Sequence, residues 1–240
     1  MESVATVQPV EEKASRWEDF IDIYIAPAAL FARRATESAK VPLISLAVIT
    51  LALYYVLLPL MAPLHQAGLA QAIAQNPEAA EQIQSFGNRM RLIQGIFVPL
   101  FVAAFTLLIA AVTLLAAKIF SLPLSFRQAF MITAWTGFVG IPQQIAIGIS
   151  AFLKDRSGAA LDLARDTSFG PLRFMNPETI NDVLMPLIRR FDLFALWGLV
   201  IMAIALKVVA RSEGPQAWGA AALVWISYAL PMVIWAAVKG

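Results

Sequence analysis

Few residues in this sequence have the type and spacing to do chemistry, and most stand at the margins of apolar blocks. The one histidine, His65, follows Pro63 just past such a block. Nucleophilic catalysis would need a partner for it, yet the chain carries no GxSxG turn and no cysteine. His65 reads as a polar residue at a membrane boundary. Asp162 and Asp166 are four apart, which would set two carboxylates on one helix face. They belong to the mixed-charge stretch KDRSGAALDLARD, and a solvated helix face accounts for them. No HExxH pair, Gly-rich phosphate loop or cluster of metal ligands occurs. The sequence therefore predicts no catalytic residue, no metal site and no cofactor.

What is left is uncharged. Pro142, Gln143 and Gln144 stand near the middle of an apolar block, where an unpaired amide in hydrocarbon is costly. Thr133, Gly137, Gly140, Gln144 and Gly148 follow one another at offsets of 4, 7, 11 and 15. That is a single stripe of small or polar residues on one helix. Such a stripe lets backbones approach closely, and an amide in it can bond to a neighbouring helix. The same residues could instead touch a solute or line a wet cavity. Pro142 also lacks an N–H and so frees the carbonyl of Phe138, which nearby glutamine amides or threonine hydroxyls could satisfy.

These residues are positioned by long apolar elements. The chain has 240 residues, 60% hydrophobic and 14% charged, with a mean hydropathy of +0.72. An ordinary soluble domain has about 25% charged residues. A helix needs roughly 20 apolar residues to cross a bilayer. Blocks of that length lie at 41–62, 95–117, 129–152, 191–211 and 216–238. The predicted fold is an all-α integral membrane protein with five transmembrane helices and interfacial amphipathic helices. An odd number of crossings puts the termini on opposite sides. A net charge of +2 gives no footprint for nucleic acid. The start, MESVATVQPVEEKASRWEDF, is polar and acidic rather than basic and then apolar, so the first span is expected to be retained as an anchor. Lys and Arg divide nine against nine between the two faces, and the positive-inside rule gives no orientation.

Residues 1–16 read as a polar tail and 17–40 as an interfacial amphipathic segment. Trp17, Phe20, Ile21 and Tyr24 recur at helical spacing there. The helix they form lies in the membrane interface or packs against the bundle. In the first connection, Asn76 and Pro77 predict a helix start, with Ile83, Phe86, Met90 and Ile93 continuing it into span two, kinked at Gly95 or Pro99. In the third, Asn176 and Pro177 predict a second amphipathic helix carrying Ile180, Val183, Leu184, Leu187 and Ile188, bent at Pro186 into span four. Both connections lie on the face opposite the N-terminus, where they cap the bundle or meet a partner.

Three stretches give the chain a family likeness. IYIAPAALFARR sets Pro27 a few residues before Phe31. SLPLSFRQAFMITAW leads into a third span with a mid-span proline. RRFDLFALWGLVIMAIAL opens span four with Arg189, Arg190, Asp192, Phe194 and Trp197. In their order along the chain these resemble the Yip family, the Ypt/Rab-interacting membrane proteins, in its prokaryotic branch, over roughly residues 20–238. The resemblance implies a cytoplasmic N-terminus, an outside tail and a non-enzymatic role as a membrane scaffold. The family's eukaryotic Asp-Leu-Tyr-Gly-Pro motif is not present. DIYIAP shares only Asp22, Tyr24 and Pro27 with it, which leaves the small-GTPase partnership in doubt.

The expected partners are the lipid bilayer and other membrane proteins, or a second copy of the chain, with no nucleic acid. The first expected function is a multi-span scaffold affecting membrane organisation or trafficking-like processes. The alternative is a passive conduit or carrier for a neutral or lipid-like solute through the Pro142–Gln144 region. A cavity reaching Gln143 would favour the second, a dry and tightly packed stripe the first.

Overall fold

The computed structural model describes residues 15–156 and 162–239, and among them all regular structure is helical. The polar tail assigned to residues 1–16 lies, as far as residue 14, outside the described residues. Two short helices, α1 (Asp19–Ile25) and α2 (Pro27–Arg34), precede α3 (Lys40–Leu57), α4 (Ala62–Gln75) and α5 (Ala80–Ile119). The third apolar block is divided between α6 (Phe126–Thr136) and α7 (Gly140–Arg156). The short helices α8 (Leu163–Asp166) and α9 (Met185–Arg189) interrupt the long connection to α10 (Leu193–Val209). Then come α11 (Gln216–Ser227) and α12 (Leu230–Lys239).

Three helices are long and apolar enough to cross a membrane: α3, the Ile93–Ile119 part of α5, and Phe126–Lys154 taken through α6 and α7. α11 and α12 make a fourth if the pair, bent by 43°, is one span. α10 has 17 residues, about 26 Å at 1.5 Å per residue, against a hydrocarbon core of ~30 Å. The structure thus supports three or four crossings, where apolar content alone led to five. The shortfall at span four comes from its ends. Asp192 is extended as the N-cap. At the other end Arg211 turns left-handed at φ 52°, with the Ser212 amide donating to the Lys207 carbonyl. Both ends of the apolar block are spent on capping.

The connections also differ from expectation. α3 stops at Leu57, ahead of Pro59, whose missing N–H cannot continue the ladder. The Leu58 carbonyl at the end of the helix accepts from the Arg91 guanidinium, and the Tyr54 hydroxyl donates to the Arg91 carbonyl, locking α3 to α5. α5 is one helix of 40 residues that runs past Gly95 and Pro99 without interruption. Gly95 makes room for Tyr55, since a Cβ there would stand 2.4 Å from its hydroxyl. In the third connection Asn176 does cap, accepting from the Glu178 amide at 3.1 Å, but the turn ends at Thr179. The Asn181 side chain then accepts from the Val183 amide, a local turn that competes with helix. No continuous amphipathic helix forms over 176–190. Asp166 is also not on a solvated face: it is buried and accepts from the Lys154 ammonium and the Asp162 amide.

Alanine closes the bundle. Ala117 of α5, Ala129 and Ala134 of α6, Ala205 of α10, and Ala217, Ala220 and Ala221 of α11 have no solvent exposure. Lipid tails give helices no hydrophobic reason to associate, so close backbone approach over small residues carries the packing. Large apolar residues on the outer faces, among them Val48, Leu100, Leu108 and Leu115, stay exposed. That distribution is the inverse of a soluble core and fits a lipid surround.

The segment before span one is a helical hairpin. α1 and α2 run back on each other around Pro27, with Ile23, Leu30 and Phe31 fully buried. Its open end is closed by Asp19, which is 2% exposed and accepts from Arg33 at 2.9 Å and from Arg34 at 2.8 Å. Hydrogen bonds to Asp19 and then Asp22 push the Arg33 pKa up. One face of α1 turns inward: Phe20 meets Trp135 and Phe138, and Tyr24 meets Trp197, all at 5.5 Å between ring centres. The other face, with Trp17, Ile21 and Ile25, is exposed.

Candidate functional site

The third block breaks where its stripe of small residues is densest. α6 begins with a capping box in which Ser125 accepts from the Gln128 amide and Gln128 accepts from the Ser125 amide. It ends at Thr136, and a tight 3-10 turn over Gly137–Val139 leads into α7. The Phe138 carbonyl that Pro142 leaves free is satisfied, but not by a glutamine or a threonine. The Tyr24 hydroxyl donates to it at 2.8 Å, from 114 residues away. The nearby threonine hydroxyls instead turn back on their own helices, Thr133 donating to Ala129 and Thr136 to Ile132.

The stripe divides by function. Thr133 meets Thr113 of α5 at 3.5 Å, a polar contact between buried hydroxyls on two helices. Gly137 packs so closely on Leu46 that a Cβ would come within 2.6 Å of its side chain, and Gly148 is buried against Leu57 and Leu60. Gly140 has nothing within 4 Å of the position its Cβ would take. Gln143 and Gln144 are half-buried, and neither side-chain amide makes a hydrogen bond to a described residue.

Gly140, Gln143 and Gln144 face a cavity of about 630 Å³ between α3, α5, α6–α7, α10 and α11, within the ~300–1,000 Å³ typical of small-molecule sites. Its walls are apolar, with Leu46, Val102, Phe105, Ile109, Leu199 and Met202 among them. Thr50, Thr106, Thr133 and Thr136 add hydroxyls. Gly198 of α10 opens onto the same space, again with nothing near the position of a Cβ.

One end of the cavity is the opening of span four. Asp192, 5% exposed, accepts from the Phe194 amide at 3.0 Å as N-cap of α10, and from the Phe169 amide through its second oxygen. Gly170 allows this approach, since a Cβ there would stand 2.5 Å from the Phe191 carbonyl oxygen. Phe194 meets Phe169 edge-on at 5.5 Å. Trp197 is not among the lining residues and instead meets Tyr24 with the two rings tilted at 53°. Arg190 lies over the rings of Tyr228 at 5.0 Å and Trp225 at 5.4 Å. Its buried Nε has no partner among the described residues, and burial lowers its pKa from the ordinary guanidinium value. Arg189 beside it is exposed at the same mouth. His65, on α4, is half-buried and takes no part in the cavity.

The Yip1 domain family model matches residues 21–238. The chain belongs to the Yip1 domain family. No curated protein and no solved structure gives a significant match to it. The matched region of this Yip1 domain starts inside the α1–α2 hairpin and ends in α12, so the hairpin and the cavity both fall within it. The arginines and the aromatic pair at the mouth could be found in part from sequence, since Arg189 and Arg190 stand next to Asp192. Trp225 and Tyr228 could not, because nothing in their spacing ties them to residue 190.

Proposed function

We propose that this Yip1-domain protein works without catalysis, by holding a lipid-like molecule inside its helical bundle. One observation carries the reading. The side-chain amides of Gln143 and Gln144, unpaired among the described residues, border a cavity onto which two helical glycines open. Unpaired amides at membrane depth are costly, and a bound amphiphile supplies both the acceptors and the bulk. The non-enzymatic part of the reading is supported by the lining. Among the described residues its one carboxylate, Asp192, has both oxygens committed to backbone amides.

The test is lipid retention. The full chain extracted in a mild detergent should carry lipid that native mass spectrometry detects. Gly140→Leu together with Gly198→Leu, which fill empty space, should lower retention about tenfold with the melting temperature kept. A wild-type protein that retains no lipid, or a filled cavity that retains as much, would sink the reading.

A second reading, the scaffold, has its own support. The part of α5 over residues 80–92 extends before the hydrophobic stretch and carries Phe86, exposed at 65%. An aromatic so placed suits contact with another membrane protein or a second copy. For topology we propose five crossings in a prokaryotic cytoplasmic membrane, with α10 counted and the N-terminus inside. Ser3→Cys and Gly240→Cys should then label from opposite sides, the first from the cytoplasm. Labelling of both from one side would refute the odd number.

A further inference from the structure

The mouth of the cavity carries more specific information than its interior. Arg189 and Arg190 both line it, and neither guanidinium forms a hydrogen bond or ion pair with a described residue. A buried donor without an acceptor requires an explanation, and a guanidinium is built to meet planar or tetrahedral oxyanions with several donors at once. The neighbouring acid offers no relief. Asp192 spends both oxygens on the Phe169 and Phe194 amides, so the mouth keeps a net positive charge.

The same geometry argues against a zwitterionic headgroup. A choline or ethanolamine would look for a free carboxylate or an aromatic cage. The carboxylate is taken, and the two rings that could make a cage, Trp225 and Tyr228, are already covered by Arg190. From Tyr228 an aromatic wall continues outward through Phe105 at 5.6 Å to Phe101 at 5.9 Å, and Phe101 is 69% exposed on the outer face of α5. Apolar chains thus have a path from the mouth to the surrounding bilayer.

We propose that the cavity binds an anionic phospholipid, its phosphate on Arg189 and Arg190 and its acyl chains leaving along Phe105 and Phe101. This rests on the lipid-holding reading above and narrows it to a headgroup class. The experiment titrates the purified full chain in a neutral detergent with phosphatidylglycerol, phosphatidylcholine or inorganic phosphate, following retention by native mass spectrometry and the thermal shift. Phosphatidylglycerol should bind at least tenfold more tightly than phosphatidylcholine, and phosphate alone should give no shift. Arg189→Gln with Arg190→Gln should bring the two lipids level.

Should that pair unfold, Arg189→Gln alone removes an exposed charge and should still lower the preference severalfold, while Arg190→Lys should retain most of it. Equal binding of both lipids by the wild type would overturn the headgroup assignment and leave the lipid-holding reading standing. Binding of neither would overturn both. A shift with phosphate as large as with phosphatidylglycerol would mean a free-anion site and overturn the proposal, as would an undiminished preference in the arginine variants.

Discussion

Asp19→Ala is expected to destabilise the protein by about 3–5 kcal/mol, the usual result of removing one partner from a buried charge cluster. Among the described residues, Asp19 alone pairs with both Arg33 and Arg34, and it is almost wholly shielded from water. Its loss leaves, among the described residues, Arg34 paired with Glu37 and Arg33 with Asp22. The effect should reach beyond the hairpin, because the hairpin presents the Tyr24 hydroxyl to the Phe138 carbonyl at the break in the third block. Thermal unfolding in detergent measures the loss. Arg33→Ala is the comparison: its side chain is 30% exposed, and it should cost only about 1 kcal/mol. Equal costs for the two variants would show that burial of Asp19 is not what fixes the hairpin.

Asp192→Ala should cost about 2–4 kcal/mol. Loss of an N-cap contributes roughly 1 kcal/mol, and leaving the Phe169 amide without its acceptor contributes about 1–3 kcal/mol more. Asp192→Asn keeps one oxygen for the Phe194 amide and should lose about half as much. The measurement is the same melting experiment, and the ordering Ala below Asn below wild type is its content. A neutral Asp192→Ala would mean that the Phe169–Gly170 turn, despite its contact with residues 191 and 192, does not depend on the carboxylate.

How far the sequence reveals this arrangement can be followed element by element. The apolar blocks at 41–62 and 95–117 are legible because lipid-facing helices need little beyond length and hydrophobicity: α5 runs through the second, and α3 fills the first as far as Leu57. The block at 129–152 is legible as apolar but not as broken, since Gly137, Gly140 and Pro142 permit a turn without requiring one. The hairpin over 19–34 is where periodicity misleads. Trp17, Phe20, Ile21 and Tyr24 fall on one helical stripe, yet Phe20 and Tyr24 turn into the bundle while Trp17 and Ile21 face out. A stripe does not say which part of it meets protein and which meets the surroundings.

The candidate site is legible in the same partial way. Gln143, Gln144 and Asp192 are identifiable because polar groups in or beside apolar blocks need a physical reason. Their juxtaposition is not, because it depends on α10 and α11 folding back across α5 and α6. The glycines show the limit most clearly. Gly137 and Gly140 look equivalent along the chain, but one is packed against Leu46 and the other faces empty space.

The unbroken course of α5 gives it reach. At 40 residues it is about 60 Å long, twice the ~30 Å of the hydrocarbon layer. Its first turns precede the stretch that is apolar enough to cross that layer, which begins at Ile93. Phe105 lines the cavity from within that stretch, and Phe86 stands on the part before it, where Gly87 packs against Leu69 of α4, so one continuous helix joins the cavity wall to an exposed aromatic beyond the apolar layer.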